Sequence, residues 1–295
     1  LILINDTAKK KGMHVKAGLR INSGFSMEGD LGLSSKFGVD EHTLPEHIDF
    51  LSSFSNISIT GIHVHLKSQV LENRKLLRYY KKVFELALFC KETIGLEMEF
   101  INFGGGLGIA YSSADMPLDI DALSEECEAL TLSFKEKLNA RLLIETGRFA
   151  VCAAGLYVTR IADIKESIGT KYLIVEKGLN GFSRPSIAEL IASYSCTSDL
   201  KGSEPLFTAK DAFDFYIPEG DDRLLEKVSI VGSLCTATDI MVKDALLPKA
   251  KIGDMVAVSK AGSYSYSLSP LLFASHPLPL QFYLKEDGQV IPAYH

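Results

Sequence analysis

The feature that most constrains the fold is an alternation. Three short apolar stretches, each able to form a strand, end in compact polar or glycine clusters and are separated by amphipathic stretches of helical period. Residues 57–62 run into His63, His65, Lys67 and Ser68. Residues 100–103 run into Gly104, Gly105 and Gly106, and residues 142–145 close on Glu145, Thr146, Gly147 and Arg148. Strands roughly 40 residues apart and joined by helices are expected to run parallel, because a parallel connection needs a long crossover. The ends of parallel strands gather at one rim of the sheet, which is where a β/α barrel collects its chemistry on loops. The pattern points to an enzyme.

The rest of the first half follows the same alternation. Residues 15–21 read as an earlier strand and 44–54 as a helix entered through Thr43 as its cap. Residues 73–94 read as a long helix with Leu76, Leu77, Tyr80, Phe84, Ala87 and Leu88 on one face and Gly95 as its stop. Residues 97–103 form the next strand, 120–138 a helix, and 142–145 a strand. After Ala154 the period changes: residues 156–161, 172–175, 228–231, 255–260 and 280–284 read as strands without long helices between them, among frequent Pro, Gly and Ser. The fold class is therefore α/β: part of a (β/α)8 barrel over residues 1–155, then an antiparallel β domain over 156–295. Residues 186–226 have no readable period. A closed barrel takes eight strands and ~250 residues, whereas only about four βα units precede the β domain here. Residues 1–12 resemble the tail of a helix, so further barrel elements are expected upstream.

Composition narrows the class. The 295 residues are 46% hydrophobic and 23% charged, as in an ordinary water-soluble chain, and the net charge of −6 offers no footprint for nucleic acid or an anionic membrane. The longest apolar runs, 84–90 and 149–158, are too short to span a bilayer. The five cysteines are odd in number and lack CxxC spacing, which suits a reduced, cytoplasmic protein.

Each polar cluster has a chemical and a plainer reading. Gly104, Gly105 and Gly106, followed by Gly108, suit a tight turn that brings backbone N–H groups to a phosphate, or are an ordinary glycine turn. Their spacing is not the G-x-G-x-x-G of a dinucleotide site. Glu145 can hold a protonated ring nitrogen and Arg148 a phosphate, or the two form a surface ion pair. His63 and His65 alternate on one strand, so they share a face. No Asp, Glu or Cys at usable spacing completes a metal set, so His65 reads as a stacking or hydrogen-bonding imidazole and His63 as a core histidine. Cys235 follows an apolar strand and can move protons or simply fill space. Tyr264 offers a phenol to a ligand or packs in a core.

Taken in order, the motifs H-x-H-x-x-S, N-F-G-G-G-L-G-I-x-Y, E-T-G-R, Arg184-Pro185, G-S-L-C-T-x-x-D and A-G-S-Y resemble those of the fold type III pyridoxal-phosphate decarboxylases. This is the diaminopimelate and ornithine decarboxylase family, in which an alanine-racemase-like barrel is joined to a β domain. The resemblance covers nearly the whole chain. It implies pyridoxal 5′-phosphate as cofactor, with His65 stacking on its ring and Glu145 pairing with its nitrogen. Ser68, the backbone of Gly104, Gly105 and Gly106, and Arg148 would hold the phosphate, helped by Tyr264. It also implies that Cys235 protonates the carbon left after CO₂ departs, reaching into the barrel of a partner subunit in a homodimer with shared sites. Arg184, Thr236 and Asp239 would face the substrate. No nucleic acid, membrane or metal partner is implied.

The departures point to the substrate. The family's Gly-Ser is Lys67-Ser68 here. Where diaminopimelate decarboxylases carry R-P-x-x-Y and C-E-S, this chain has Arg184-Pro185-Ser186-Ile187-Ala188 and Cys235-Thr236. Both changes remove groups that would recognise the distal end of a free diamino diacid. The C-T-x-x-D form is similar to the subgroup acting on conjugated amino acids, such as citrate-linked diamino acids in siderophore assembly or aminoacyl groups on a carrier protein. Diaminopimelate decarboxylation is the alternative. The family's Schiff-base lysine lies on the first barrel strand and has no counterpart among these residues. It is expected on an upstream segment; a chain truly without it would be a non-catalytic pyridoxal-phosphate-binding relative.

Overall fold

The computed structural model describes residues 1–194, 211–220 and 222–293. They divide into two compact units, Leu1–Ala110 with Met116–Gly147, and Tyr111–Asp115 with Arg148–His295.

The first unit is built on a five-stranded parallel sheet. After helix α1 (Ile2–Lys10) come β1 (Val15–Asn22), β2 (Val39–Asp40), α2 (Ile48–Ser52), β3 (Ile57–His63), α3 (Asn73–Glu92), β4 (Phe100–Asn102), α4 (Ile120–Phe134) and β5 (Arg141–Leu143). The strand order is β2-β1-β3-β4-β5, every pair parallel. The helix expected at 44–54 is a 3-10 turn over Glu41–His47 that runs into α2. Pro45 lies inside that turn and has no N–H to give an α-helical ladder, and the Thr43 hydroxyl donates to Asp40 O rather than capping. Helix α3 buries Leu76, Tyr79, Tyr80, Val83, Phe84, Leu86, Ala87 and Cys90. The stripe is turned slightly from the expected one, with Leu77 and Leu88 only half-buried.

Phe103, just past β4, sits at the centre of this packing. Its ring meets Tyr80 at 5.3 Å and Phe84 at 5.0 Å, both edge-to-face, and Phe84 stacks on Phe134 at 4.9 Å. Such pairs add about 0.5–1.5 kcal/mol each to the burial of the rings. They lock α3 and α4 against the strand whose end carries the glycines.

The second unit begins with α5 (Arg148–Val151) and continues through β6 (Tyr157–Ser167), β7 (Thr170–Val175), α6 (Ser183–Tyr194), β8 (Phe215–Tyr216), β9 (Leu225–Val231), β10 (Ile240–Pro248) and β11 (Met255–Val258). Its sheet runs β10-β9-β7-β6-β11-β8, antiparallel as expected except for the parallel pair β7 and β9. Strands β12 (Phe282–Leu284) and β13 (Val290–Pro292) form a separate hairpin. Several elements went unread in the sequence: the short β2, α5, β8 and β13, and the longer β10 and α6. Strand β10 hides its period of two because its register slips twice and Asp244 takes φ 56°. Helix α6 occupies the start of the 186–226 stretch, the rest of which falls partly outside the described residues. Among the described residues no helix is long and apolar enough to cross a membrane.

Replacing Phe103 by Ala is expected to cost about 3–5 kcal/mol, and by Leu less than about 1.5 kcal/mol. Urea unfolding of the first unit, followed by the midpoint at constant slope, checks both.

Candidate active site at the rim of the parallel sheet

Strand register brings the polar clusters of the first unit together. His63 pairs with Asn102, and Asn102 with Leu143. With a side-chain period of two, His63 and His65, Asn102 and Gly104, and Leu143 and Glu145 then share one face at neighbouring strand ends. The three strand ends are sewn together by backbone bonds: Val64 N–H to Asn102 O, Phe103 N–H to Leu143 O, and Glu145 N–H to Gly104 O at 2.8 Å. Beyond β3 the chain stays alongside the glycine turn, Val70 N–H donating to Gly106 O and Gly108 N–H to Val70 O.

Only glycine permits this approach. A Cβ on Gly104 would lie 2.6 Å from Val64 O and 2.7 Å from the His65 Cβ, at a backbone φ of +63°. One on Gly105 would lie 2.9 Å from Glu145 O, and one on Gly106 2.9 Å from Lys67 O. The turn is thus a shelf clear of side chains, bordered by an imidazole and a carboxylate. Gly105 N–H donates to His65 Nδ1 at 3.1 Å, which fixes that ring and places the proton of the neutral imidazole on Nε2. The Glu145 side chain is 57% exposed. Asn102 donates from Nδ2 to its Oε1 at 2.9 Å, and His63 Nε2 lies 3.6 Å from the same oxygen. Ser68 sits half-buried at the bend after β3, and Lys67 pairs with Glu28 at 3.1 Å.

Burial lowers the pKa of both histidines below 6.5, more than the neighbouring Glu145 raises them, and Arg20 lowers them further. Both rings are therefore neutral at pH 7. Tyr79, from α3, was missed in the sequence. It is buried, and its hydroxyl lies 2.8 Å from both Val64 O and Phe103 O, the carbonyls where β3 and β4 end. Burial raises its pKa far above the ordinary value, so it remains a neutral donor.

The second unit holds the other expected residues. Arg148 is buried, and its guanidinium lies 4.9 Å above the Tyr264 ring, a tyrosine held at φ 55°. Arg184 is fully buried and donates from Nη1 to Tyr111 Oη at 2.9 Å. Burial pushes its pKa down, opposed by Tyr111, which was also missed as a site residue and which bonds Cys152 Sγ at 3.2 Å. Asp239 is 2% exposed, and its carboxylate accepts from Leu179 N–H at 2.6 Å and Leu234 N–H at 3.0 Å. It shapes the loop that displays Cys235, which is exposed, and Thr236, whose hydroxyl bonds that of Thr238 at 2.9 Å. Among the described residues no three His, Cys, Asp or Glu side chains come together as a metal site.

An L-glutamyl-(BtrI acyl-carrier protein) decarboxylase of Niallia circulans is 31% identical over 98% of this chain and 65% of its own length. A 2-((L-alanin-3-ylcarbamoyl)methyl)-2-hydroxybutanedioate decarboxylase of Staphylococcus aureus is 29% identical over 87% of this chain and 62% of its own. The crystal structure of diaminopimelate decarboxylase from M. jannaschii superposes with a TM-score of 0.81 at 27% identity, covering 99% of this chain and 63% of that one. The chain thus spans a little under two thirds of the length of these relatives. The two units have the architecture of a partial alanine-racemase-like barrel with a β domain. The bare glycine shelf, the neutral imidazole beside it and the outward carboxylate fit a planar, phosphorylated pyridine. Residues 1–152 match the pyridoxal binding domain of the pyridoxal-dependent decarboxylases, and the chain belongs to that family.

Proposed function

We propose that this chain is the greater part of a pyridoxal-phosphate-dependent amino-acid decarboxylase. Its substrate is a conjugated amino acid, of the citryl-diamino acid kind used in siderophore assembly. The observation that carries the reading is the register-aligned set of His65, the glycine turn and Glu145 at three adjacent strand ends. Bound there, the cofactor would supply an electron sink for the bond to the departing carboxylate. Residues of this chain would hold and orient it. His65 offers a flat, uncharged ring for stacking, held by Gly105 N–H. Glu145 meets the ring nitrogen. The glycine turn and Ser68 hold the phosphate, joined by Arg148 and Tyr264, and Arg184 and Thr236 face the substrate.

Cys235 acts as the proton donor to the product carbon, supported by its exposure on a loop braced by Asp239. We assign it to the site of a partner subunit in a homodimer. The hairpin β12–β13 supports such a partner: Phe282, Tyr283, Leu284 and Val290 are all exposed on it, and an isolated two-stranded ribbon is marginal in water. The four described cysteines are free, which suits the cytoplasm.

The conjugated substrate is favoured over free diaminopimelate by Thr236, a neutral residue with its hydroxyl engaged. A site that must pair a distal ammonium loses selectivity without a carboxylate there. The S. aureus relative is named for an amino acid joined through an amide to a hydroxy diacid, which supports the choice.

In proteins that carry the lysine-bearing N-terminal segment, CO₂ release from a citryl-diamino acid is expected to fall at least about 100-fold on Cys235→Ala and on Glu145→Ala substitution, in the range of a lost general acid. Undiminished turnover in both would sink the decarboxylase reading, and faster turnover of free diaminopimelate would reverse the substrate choice. A second outcome follows from burial of the imidazole. NMR titration should place the His65 midpoint below 6.5. The folded chain then binds fewer protons than the unfolded one, so this stability is full above pH 6.5 and is lost as pH falls towards the folded value. A midpoint at or above 6.5 would contradict it.

A further inference from the structure

Asn102, the last residue of β4, has none of the roles assigned above, yet its side chain touches two of the parts that do. Its Oδ1 accepts Gly104 N–H at 2.8 Å, and its Nδ2 donates to Glu145 Oε1 at 2.9 Å. A side-chain amide can be placed in either sense, but only one satisfies both neighbours here. A backbone N–H can only donate, so it takes the carbonyl end, and the two-donor nitrogen is left facing the carboxylate. The glycine turn thereby orients the amide, and the amide orients Glu145.

The carboxylate needs such a hold. Glu145 ends a side chain with three rotatable bonds, and that side chain is 57% exposed. The imidazole of His63, opposite Asn102 in the sheet, stands 3.6 Å from Oε1, beyond a good hydrogen bond. In water a bond like that from Asn102 contributes little. Under a bound ring that excludes water it strengthens and limits where the carboxylate can point.

We infer that Asn102 is a positioning residue that aims the Glu145 carboxylate at the cofactor's ring nitrogen, so that one side chain couples the glycine turn to the group that pairs with the ring. The inference rests on the cofactor reading proposed above.

The test needs no turnover. Pyridoxal 5′-phosphate labelled with 15N in its ring, bound to the isolated protein, reports protonation of that nitrogen through its chemical shift. A well-placed carboxylate favours the protonated ring. Asn102→Ala is expected to lower the pH at which the bound ring loses its proton by about half to one unit, one unit being a tenfold change. Glu145→Ala should lower it more, and adding Asn102→Ala to Glu145→Ala should lower it no further. Asn102→Ser keeps an oxygen that can accept Gly104 N–H two residues on while withdrawing the donor from Glu145. It should show the same displacement, and it stands in if the alanine variant does not fold. Equal displacements by Asn102→Ala with and without Glu145 would assign Asn102 to the turn alone and overturn the inference. So would a ring nitrogen indifferent to both Asn102 variants. If the unaltered protein shows no saturable binding of pyridoxal 5′-phosphate, the cofactor reading itself fails, and this inference with it.

Discussion

The close approach of two backbones at the sheet rim is the constraint on which the first unit depends. The chain leaving β3 and the chain leaving β4 run side by side, with Val70 N–H on Gly106 O at 2.8 Å and Gly108 N–H on Val70 O at 3.0 Å. No side chain fits between them: the position of a Gly104 Cβ is already filled by Val64 O and His65. Three glycines remove the obstacle, and the cost is the conformational freedom they lose on folding. Tyr79 compensates from below, one buried hydroxyl set 2.8 Å from the carbonyls that end both strands. Because the turn cannot drift, the groups bonded to it cannot either. His65 takes its orientation from Gly105 N–H, and Asn102 takes its own from Gly104 N–H.

That arrangement was legible in the sequence to the extent that it obeys a local period. His65, Gly104 and Glu145 announce themselves as polar or glycine residues where apolar strands stop, and parallel strands bring such ends together. Asn102 was equally readable in principle, since it stands two residues before Gly104 on the same face. Nothing local marks Tyr79, which looks like any tyrosine on the buried stripe of an amphipathic helix. Its role exists only because α3 packs across two strand ends distant in sequence. Strand β10 escaped for the opposite reason: its two register slips erase the alternation that would have revealed it.

The second unit shows how a buried charge is satisfied within a motif. In G-S-L-C-T-x-x-D, Gly178 and Gly232 leave so little room that a Cβ on either would fall within 2.3 Å of an Asp239 oxygen, and Leu179 and Leu234 turn their amides onto the carboxylate. Two backbone amides satisfy the buried carboxylate, and through them it braces the loop. The guanidinium of Arg184 is met by its neighbours in a similar way. A fully buried guanidinium is costly to desolvate, and Tyr111 meets it with both a hydroxyl at 2.9 Å and a ring face at 5.0 Å.

The same distinction bears on how this loop can select a ligand. A site discriminates strongly only where it holds a polar group left unpaired by the wrong ligand. Thr236 meets that condition only weakly, because its neutral hydroxyl and that of Thr238 share a hydrogen bond at 2.9 Å. The pair imposes a small penalty on an approaching group that lacks a hydrogen-bonding end, and offers an ammonium no opposite charge. A carboxylate at position 236 would behave differently, since burial by a ligand without a cation would leave it uncompensated. Relative to a carboxylate, a threonine there does more than lose one attraction: it withdraws a means of rejection.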